Sequence, residues 1–150
     1  VNKTHPRIAF RGSMDSLEAA LLLAAAEGQG NIRSQLEEAL AYARYLLGQE
    51  VLEQPIVCKA LGGLDEKQLR ERSHRPQDFY GKPHFMPSPQ DGKPLLLVNA
   101  ARCKAREAEL AAVTAFSDRE GNPTRPDILR SLNRMSSMLY LLMIQEKSKK

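Results

Sequence analysis

In the stretch "RCKAREAE", Arg102, Arg106 and Glu109 fall within roughly 60° of one another when placed on a helix. Two guanidinium groups one turn apart make a fork for phosphate oxygens, because each is planar, permanently charged and able to bond in bidentate fashion. A carboxylate beside that fork can orient an arginine or hold a metal ion on the phosphates. The same three residues also suit a structural task, in which the arginines pair with Glu109 or with an acid on another helix and fix the packing register. Both readings put charge next to an apolar stripe formed by Val98, Ala101, Ala105, Ala108, Ala112, Ala115 and Phe116.

Other residues with chemical potential are more dispersed. Asp15 stands in what reads as a first helical turn, where the helix dipole favours an acid; the nearby Leu22 and Ala26 make a cationic partner desirable, since a lone buried carboxylate is costly. Asn133 sits at the margin of an apolar helix face near Ser136 and Tyr140, as a satisfied core amide or a reader of a nucleotide. His5, His74 and His84 are far apart, with no second ligand at helical spacing, and read as loop residues. Cys58 and Cys103 lack the spacing of a zinc site or a disulfide framework, and a reducing cytosol is the default expectation. Phe79, Tyr80 and Phe85 form either a small satellite core or an apolar lid over a flat ligand. No Walker loop or dinucleotide fingerprint is present.

The elements that must position these residues read as helices. A first helix is expected to start near Gly12 or Ser13 and to stop at Gly28, with Met14, Leu17, Ala20, Leu21 and Ala24 on one face. Leu22 and Ala26 make its other side apolar too, so it should be buried on both sides, in a bundle or at a subunit contact. Asn31 is the expected N-cap of a second helix that ends between Gly48 and Gln54. Asp65 can cap a short third, "EKQLRERS". The segment "HRPQDFYGKPHFMPSPQDGKP" holds five of the nine prolines and reads as irregular; a loop of that length in a small domain points to function. A fourth helix from about Leu95 to Phe116 carries the arginines. Asp127 opens the last, in which Ile128, Leu132, Met135, Leu139 and Leu142 recur at helical spacing and which becomes apolar all round beyond Met138, as a central helix does. No alternating strand pattern, repeat or linker interrupts this all-α reading.

Composition agrees. The chain has 150 residues, 42% hydrophobic and 27% charged, with 5% aromatic residues and no tryptophan, as in helices packed through small aliphatic side chains. The net charge of +4 is scattered apart from the closing "KSKK" and lacks interleaved aromatics, which argues against nucleic acid as a partner. The run "MLYLLMI" is too short to cross a bilayer, and no signal peptide is visible.

Three segments, "KTHPRIAFRGSMDSLEA", "LLLVNAARCKAREAEL" and "RPDILRSLNRMSSMLYLLMI", together resemble the ATP:corrinoid adenosyltransferases; "LDEKQLRERSHRP" resembles the ethanolamine-utilisation branch in particular. The resemblance covers nearly the whole chain. It implies a single adenosyltransferase domain over 1–150, a bundle of five helices that assembles as a homotrimer with active sites between subunits, and an N-terminal extension outside this segment. It implies transfer of the 5′-deoxyadenosyl group of ATP to the cobalt of cob(I)alamin for ethanolamine catabolism. By the same resemblance Arg102 and Arg106 are catalytic and bind ATP together with Lys3, Arg7, Glu109 and Asn133. Glu109 would hold the Mg²⁺, or another divalent metal, that accompanies ATP. Asp15 would pair with Arg102 across the subunit boundary, and Phe85 would cover the lower face of the corrin ring. A flavoprotein or other reductase is the implied electron source, and the implied location is the cytoplasm, with association to a bacterial microcompartment. The sequence departs from the relatives in two ways. Glu107 stands where several carry a second arginine, and neither the Gly-rich phosphate loop of the propanediol type nor the His/Cys metal cluster of the ethanolamine type lies within these residues. The rival readings are a non-catalytic ATP- or corrinoid-binding module and a purely structural bundle.

Overall fold

A computed structural model describes residues 5–57 and 60–149. Six α-helices follow in chain order: α1 (Pro6–Glu27), α2 (Gly30–Val51), α3 (Glu66–His74), α4 (Pro76–Tyr80), α5 (Lys93–Ala115) and α6 (Pro126–Ser148). Four long ones make the bundle: α1 packs on α2 and on α5, α5 packs on α6, and α6 touches α2 to close the ring. The short α3 and α4 lie against α6. Among the described residues there is no strand, only isolated bridges between Leu61 and Leu64 and between Ser117 and Pro123. The five expected helices are α1, α2, α3, α5 and α6. The sixth, α4, is one turn inside the segment expected to be irregular, made possible by Pro76 at its first position and ended by Gly81 in the left-handed region at φ 67°.

The faces expected from periodicity are the ones buried. Met14, Leu17 and Leu21 of α1, Val98, Ala101, Ala105, Ala108 and Ala112 of α5 and Ile128, Leu132, Met135 and Leu139 of α6 are all inaccessible to solvent, while Ala115 is partly buried. Leu141 to Ile144 are buried without a break, so α6 is central as its all-round apolarity requires. The second apolar side of α1 is not covered within the protomer: Leu22 is 47% exposed and Leu23 62%. A protomer therefore leaves open a face whose composition asks for burial.

Two helix starts differ from expectation. α1 begins at Pro6, two turns before Gly12, because proline suits the first helical position and the His5 ring accepts the Arg7 N–H at 3.1 Å. Its early turns are anchored by a carboxylate. Glu50 is fully buried near the end of α2 and accepts from Arg7 at 2.5 and 2.8 Å and from Arg11 at 2.8 and 3.3 Å. α2 begins at Gly30, so Asn31 lies inside the helix rather than at its cap. Asp65 does cap α3, in a reciprocal box with Gln68.

Burial alone would raise the pKa of Glu50, but hydrogen bonds and charge from Arg11 and Arg7 outweigh it and hold the carboxyl below its ordinary 4.5. A depressed native pKa contributes stability that is complete above the unfolded value and is lost as pH falls through the native one. Glu50→Ala should cost about 3 kcal/mol in urea titrations, by removing the buried carboxylate that Arg7 and Arg11 share and leaving Arg7 only Glu53. The margin of the wild type over Glu50→Gln should be full at neutral pH and shrink below pH 4.5; a margin independent of pH would remove the charge from the explanation.

Candidate functional site

The alanine stripe that seats α5 leaves Arg102, Arg106 and Glu109 at the edge of the buried face, where α5 meets α6. There they line an open cleft of about 570 Å³ together with Asn133, Ser136, Ser137 and Tyr140 of α6, Ser73 of α3 and His84 of the proline-rich loop. Leu110 and Val113 form its apolar lip and are 69% and 47% exposed.

The charges in this cleft do not neutralise one another. Arg102 donates through Nε and Nη2 to the side-chain oxygen of Asn99, one turn earlier, at 3.2 and 2.9 Å. That contact orients the guanidinium without cancelling its charge. Arg106 is exposed and, among the described residues, makes no ion pair or hydrogen bond. Glu109 accepts a single bond, from Asn133 Nδ2 at 3.3 Å. The expected alternative, arginines tied to Glu109 or to an acid on another helix, is not formed among the described residues. Glu107 pairs with Lys104 at 3.2 Å, so it does not quench Arg106 either. Arg7 and Arg11, by contrast, are tied to a carboxylate at Glu50, whereas Arg102 and Arg106 keep their charge on the wall of an open cleft that an outside anion can enter.

Tyr140 is a half-buried wall of the cleft. Burial raises its phenol above the ordinary value, opposed by the nearby charge of Arg102 and by a hydrogen bond from the Phe85 main chain. Its hydroxyl is bonded to His84 Nδ1, and the two rings stack with centroids 5.4 Å apart.

The structure thus brings together four of the residues picked from the sequence, Arg102, Arg106, Glu109 and Asn133. Phe85 is next to the cleft and not in it: its half-buried ring packs on the core and carries Lys147 Nζ at 5.3 Å from its centroid. Arg7 is elsewhere in the protomer, bonded to Glu50 and Glu53 and 5.9 Å from the Phe116 ring centroid. Asp15 is exposed on α1 and forms no pair with Arg102 inside one chain. Lys3 lies outside the described residues. Sequence reasoning missed Ser73 and His84 as cleft residues. The one available signal for His84 was its position beside Phe85 in a loop already marked as functional.

The sequence model of the cobalamin adenosyltransferase family matches residues 1–146. The chain belongs to that family. It is 33% identical over 144 residues to a corrinoid adenosyltransferase, EutT, of Escherichia coli strain K12, and 31% identical over the same length to EutT of Salmonella typhimurium strain LT2. These alignments take in 96% of this chain and 54% of each relative, so the chain spans about half the length of the curated relatives it matches. No solved structure matches it at a significant level. Among the described residues no helix is long and apolar enough to cross a membrane, and no group of three or more His, Cys, Asp or Glu side chains is arranged to hold a metal ion.

Inorganic tripolyphosphate isolates the anion-binding part of the site from any base or corrin contact. It should raise the melting temperature of the wild type, and Arg106→Ala should weaken its binding about tenfold by removing a charge-assisted donor, with unchanged helical circular dichroism. Equal binding by the variant would show that the unpaired arginine does not serve phosphate.

Proposed function

We propose that the chain carries the adenosyltransferase site, transferring the 5′-deoxyadenosyl group of ATP to the cobalt of cob(I)alamin and releasing the polyphosphate. One observation carries the reading: in a chain of this family, two arginines without an acidic partner share a cleft with a carboxylate and an amide. Cob(I)alamin is itself a strong nucleophile. Its electron pair forms the cobalt–carbon bond as the C5′–O5′ bond breaks, and the bonding electrons leave with the triphosphate oxygen. No general base is needed, so the tasks left to the protein are alignment and neutralisation of the leaving group. Arg102, held in place by Asn99, and Arg106 are suited to the phosphates, and Asn133 to the nucleoside. Glu109, a hard oxygen donor with a single long hydrogen bond, fits a divalent ion such as Mg²⁺ that would share the phosphate charge. Phe85 shields the lower face of the corrin ring, which favours a four-coordinate Co(II) precursor that a reductase, a flavoprotein for instance, can reduce.

Assembly completes the site in this reading. The exposed apolar faces of α1 (Leu22, Leu23) and of the cleft lip (Leu110, Val113) are different surfaces, which suits a head-to-tail contact closing into a homotrimer. Asp15 then comes to the cleft from a neighbouring subunit and faces Arg102. The product would be adenosylcobalamin for ethanolamine catabolism, made in the cytoplasm or at a microcompartment.

The direct test is a cob(I)alamin plus ATP assay, run on this chain and on the longer protein. Mg-ATP at about a hundred times its dissociation constant should stabilise the fold by about 2.7 kcal/mol; a structural bundle gives no such shift, and a binding module gives the shift without adenosylcobalamin. Phe85→Ala should spare ATP affinity and slow adenosylation, whereas equal loss of both would assign Phe85 to folding. Leu22→Lys should convert trimers to monomers in light scattering and weaken ATP binding in parallel. Intact trimers would exclude that face from the contact.

A further inference from the structure

Between Gly81 and Ser88 the chain passes through Pro83 and Pro87, which lack an N–H, and among the described residues no main-chain hydrogen bond to another main-chain group holds residues 82–87. A segment without such bonds keeps one conformation only if side chains pin it. Here the His84 side chain and the half-buried Phe85 ring do so. Tyr140 Oη is bonded to His84 Nδ1, while His84 Nε2 lies 3.3 Å from the carbonyl of His74, the last residue of α3. A carbonyl only accepts, so Nε2 carries a proton; in the neutral ring Nδ1 is then the acceptor and the tyrosine O–H the donor. The polar atoms of both side chains are therefore committed to a relay from α3 through the loop to α6. The far end of the loop is fixed separately: Asp91 accepts the Ser88 N–H at 2.8 Å and pairs at 2.5 Å with Lys147, whose Nζ stands against the Phe85 ring. His84 and Tyr140 line the cleft, whereas Phe85 is one residue beyond it.

We propose that Tyr140 and His84 are positioning residues, a hydrogen-bonded clamp that sets the backbone at Phe85 and so places its ring beside the nucleotide cleft. This rests on the adenosyl-transfer reading for its consequence, though not for its geometry. It separates two functions on adjacent residues of α5 and α6: the arginines hold ATP, and the tyrosine, deeper in the same cleft, registers the aromatic that meets the corrin.

The test uses Tyr140→Phe, which keeps the ring and removes only the hydroxyl, together with His84→Ala and His84→Gln, the last retaining an oxygen that can accept the tyrosine proton. In ligand-free protein, hydrogen exchange of the peptide containing Phe85 should accelerate in Tyr140→Phe and His84→Ala, with the rest of α6 unchanged. With cob(II)alamin and ATP, the spectroscopic signature of four-coordinate cobalt should diminish. In turnover kcat should fall about tenfold while KM for ATP stays within about twofold, the size expected for misplacement of a contact group rather than loss of a ligand. His84→Gln should recover part of the rate. Unchanged exchange at Phe85 in Tyr140→Phe overturns the clamp whether or not the protein turns over. Faster exchange with wild-type kcat and cobalt spectrum overturns its positioning role, as does a fall in ATP affinity that matches the fall in kcat. A wild-type chain that adenosylates nothing refutes the adenosyl-transfer reading instead, and the exchange result then still decides the clamp.

Discussion

The close seating of α5 through alanine is the constraint on which the rest depends. Ala101, Ala105, Ala108 and Ala112 are fully buried, and they let α5 lie against both α1 and α6. Because these side chains are short, the residues beside them on the helix are held near the packed surface without entering it. Arg102, Arg106 and Glu109 are in that flanking position. Had the stripe been leucine, the helices would stand further apart and the same charges would project into bulk water. The cost of charge beside a buried face is thus kept low by location, since Arg102 is half-buried and Arg106 exposed.

Two arrangements of arginine in one small chain show how location decides chemistry. Arg7 and Arg11 converge on a Glu50 that has no contact with solvent, so the arginines neutralise that carboxylate where no ligand reaches it. This is a buried ion cluster that fixes the start of α1 against the end of α2. Arg102 and Arg106 converge on a cleft, where Arg102 has an amide rather than an acid as its partner. An amide orients a guanidinium and leaves its field intact, which is the property an anion site requires.

Much of this was legible beforehand because periodicity reports burial, and burial decides helix faces. The faces of α5 and α6 follow from the spacing of Val98 to Ala112 and of Ile128 to Leu142, and the grouping of Arg102, Arg106 and Glu109 follows from helical geometry alone. What could not be read is what depends on tertiary partners. The start of α1 at Pro6 is secured by Glu50, more than forty residues away, and Gly12 inside the helix gave the opposite signal. The roles of His84 and Tyr140 rest on a contact between a loop and a helix 56 residues apart, which no local spacing encodes. The exposure of Leu22 and Leu23 is visible only once the bundle shows which side of α1 its neighbours leave uncovered.

That uncovered side has an electrostatic consequence in the proposed trimer. Covering the apolar lip of the cleft with the apolar face of a neighbouring α1 removes water from around Arg102 and Arg106, and charge–charge attraction strengthens as the local dielectric falls. Two unquenched arginines one turn apart on α5, beside a drying interface, also resist assembly until a counter-charge arrives. Asp15 supplies one such charge and the polyphosphate of ATP supplies more. Subunit contact and nucleotide binding are then linked by reciprocity: whichever forms first makes the other more favourable, by the same factor in both directions. The unpaired arginines of α5 and the exposed leucines of α1 are then two halves of one arrangement, since each leaves undone what the neighbouring subunit and its ligand would complete.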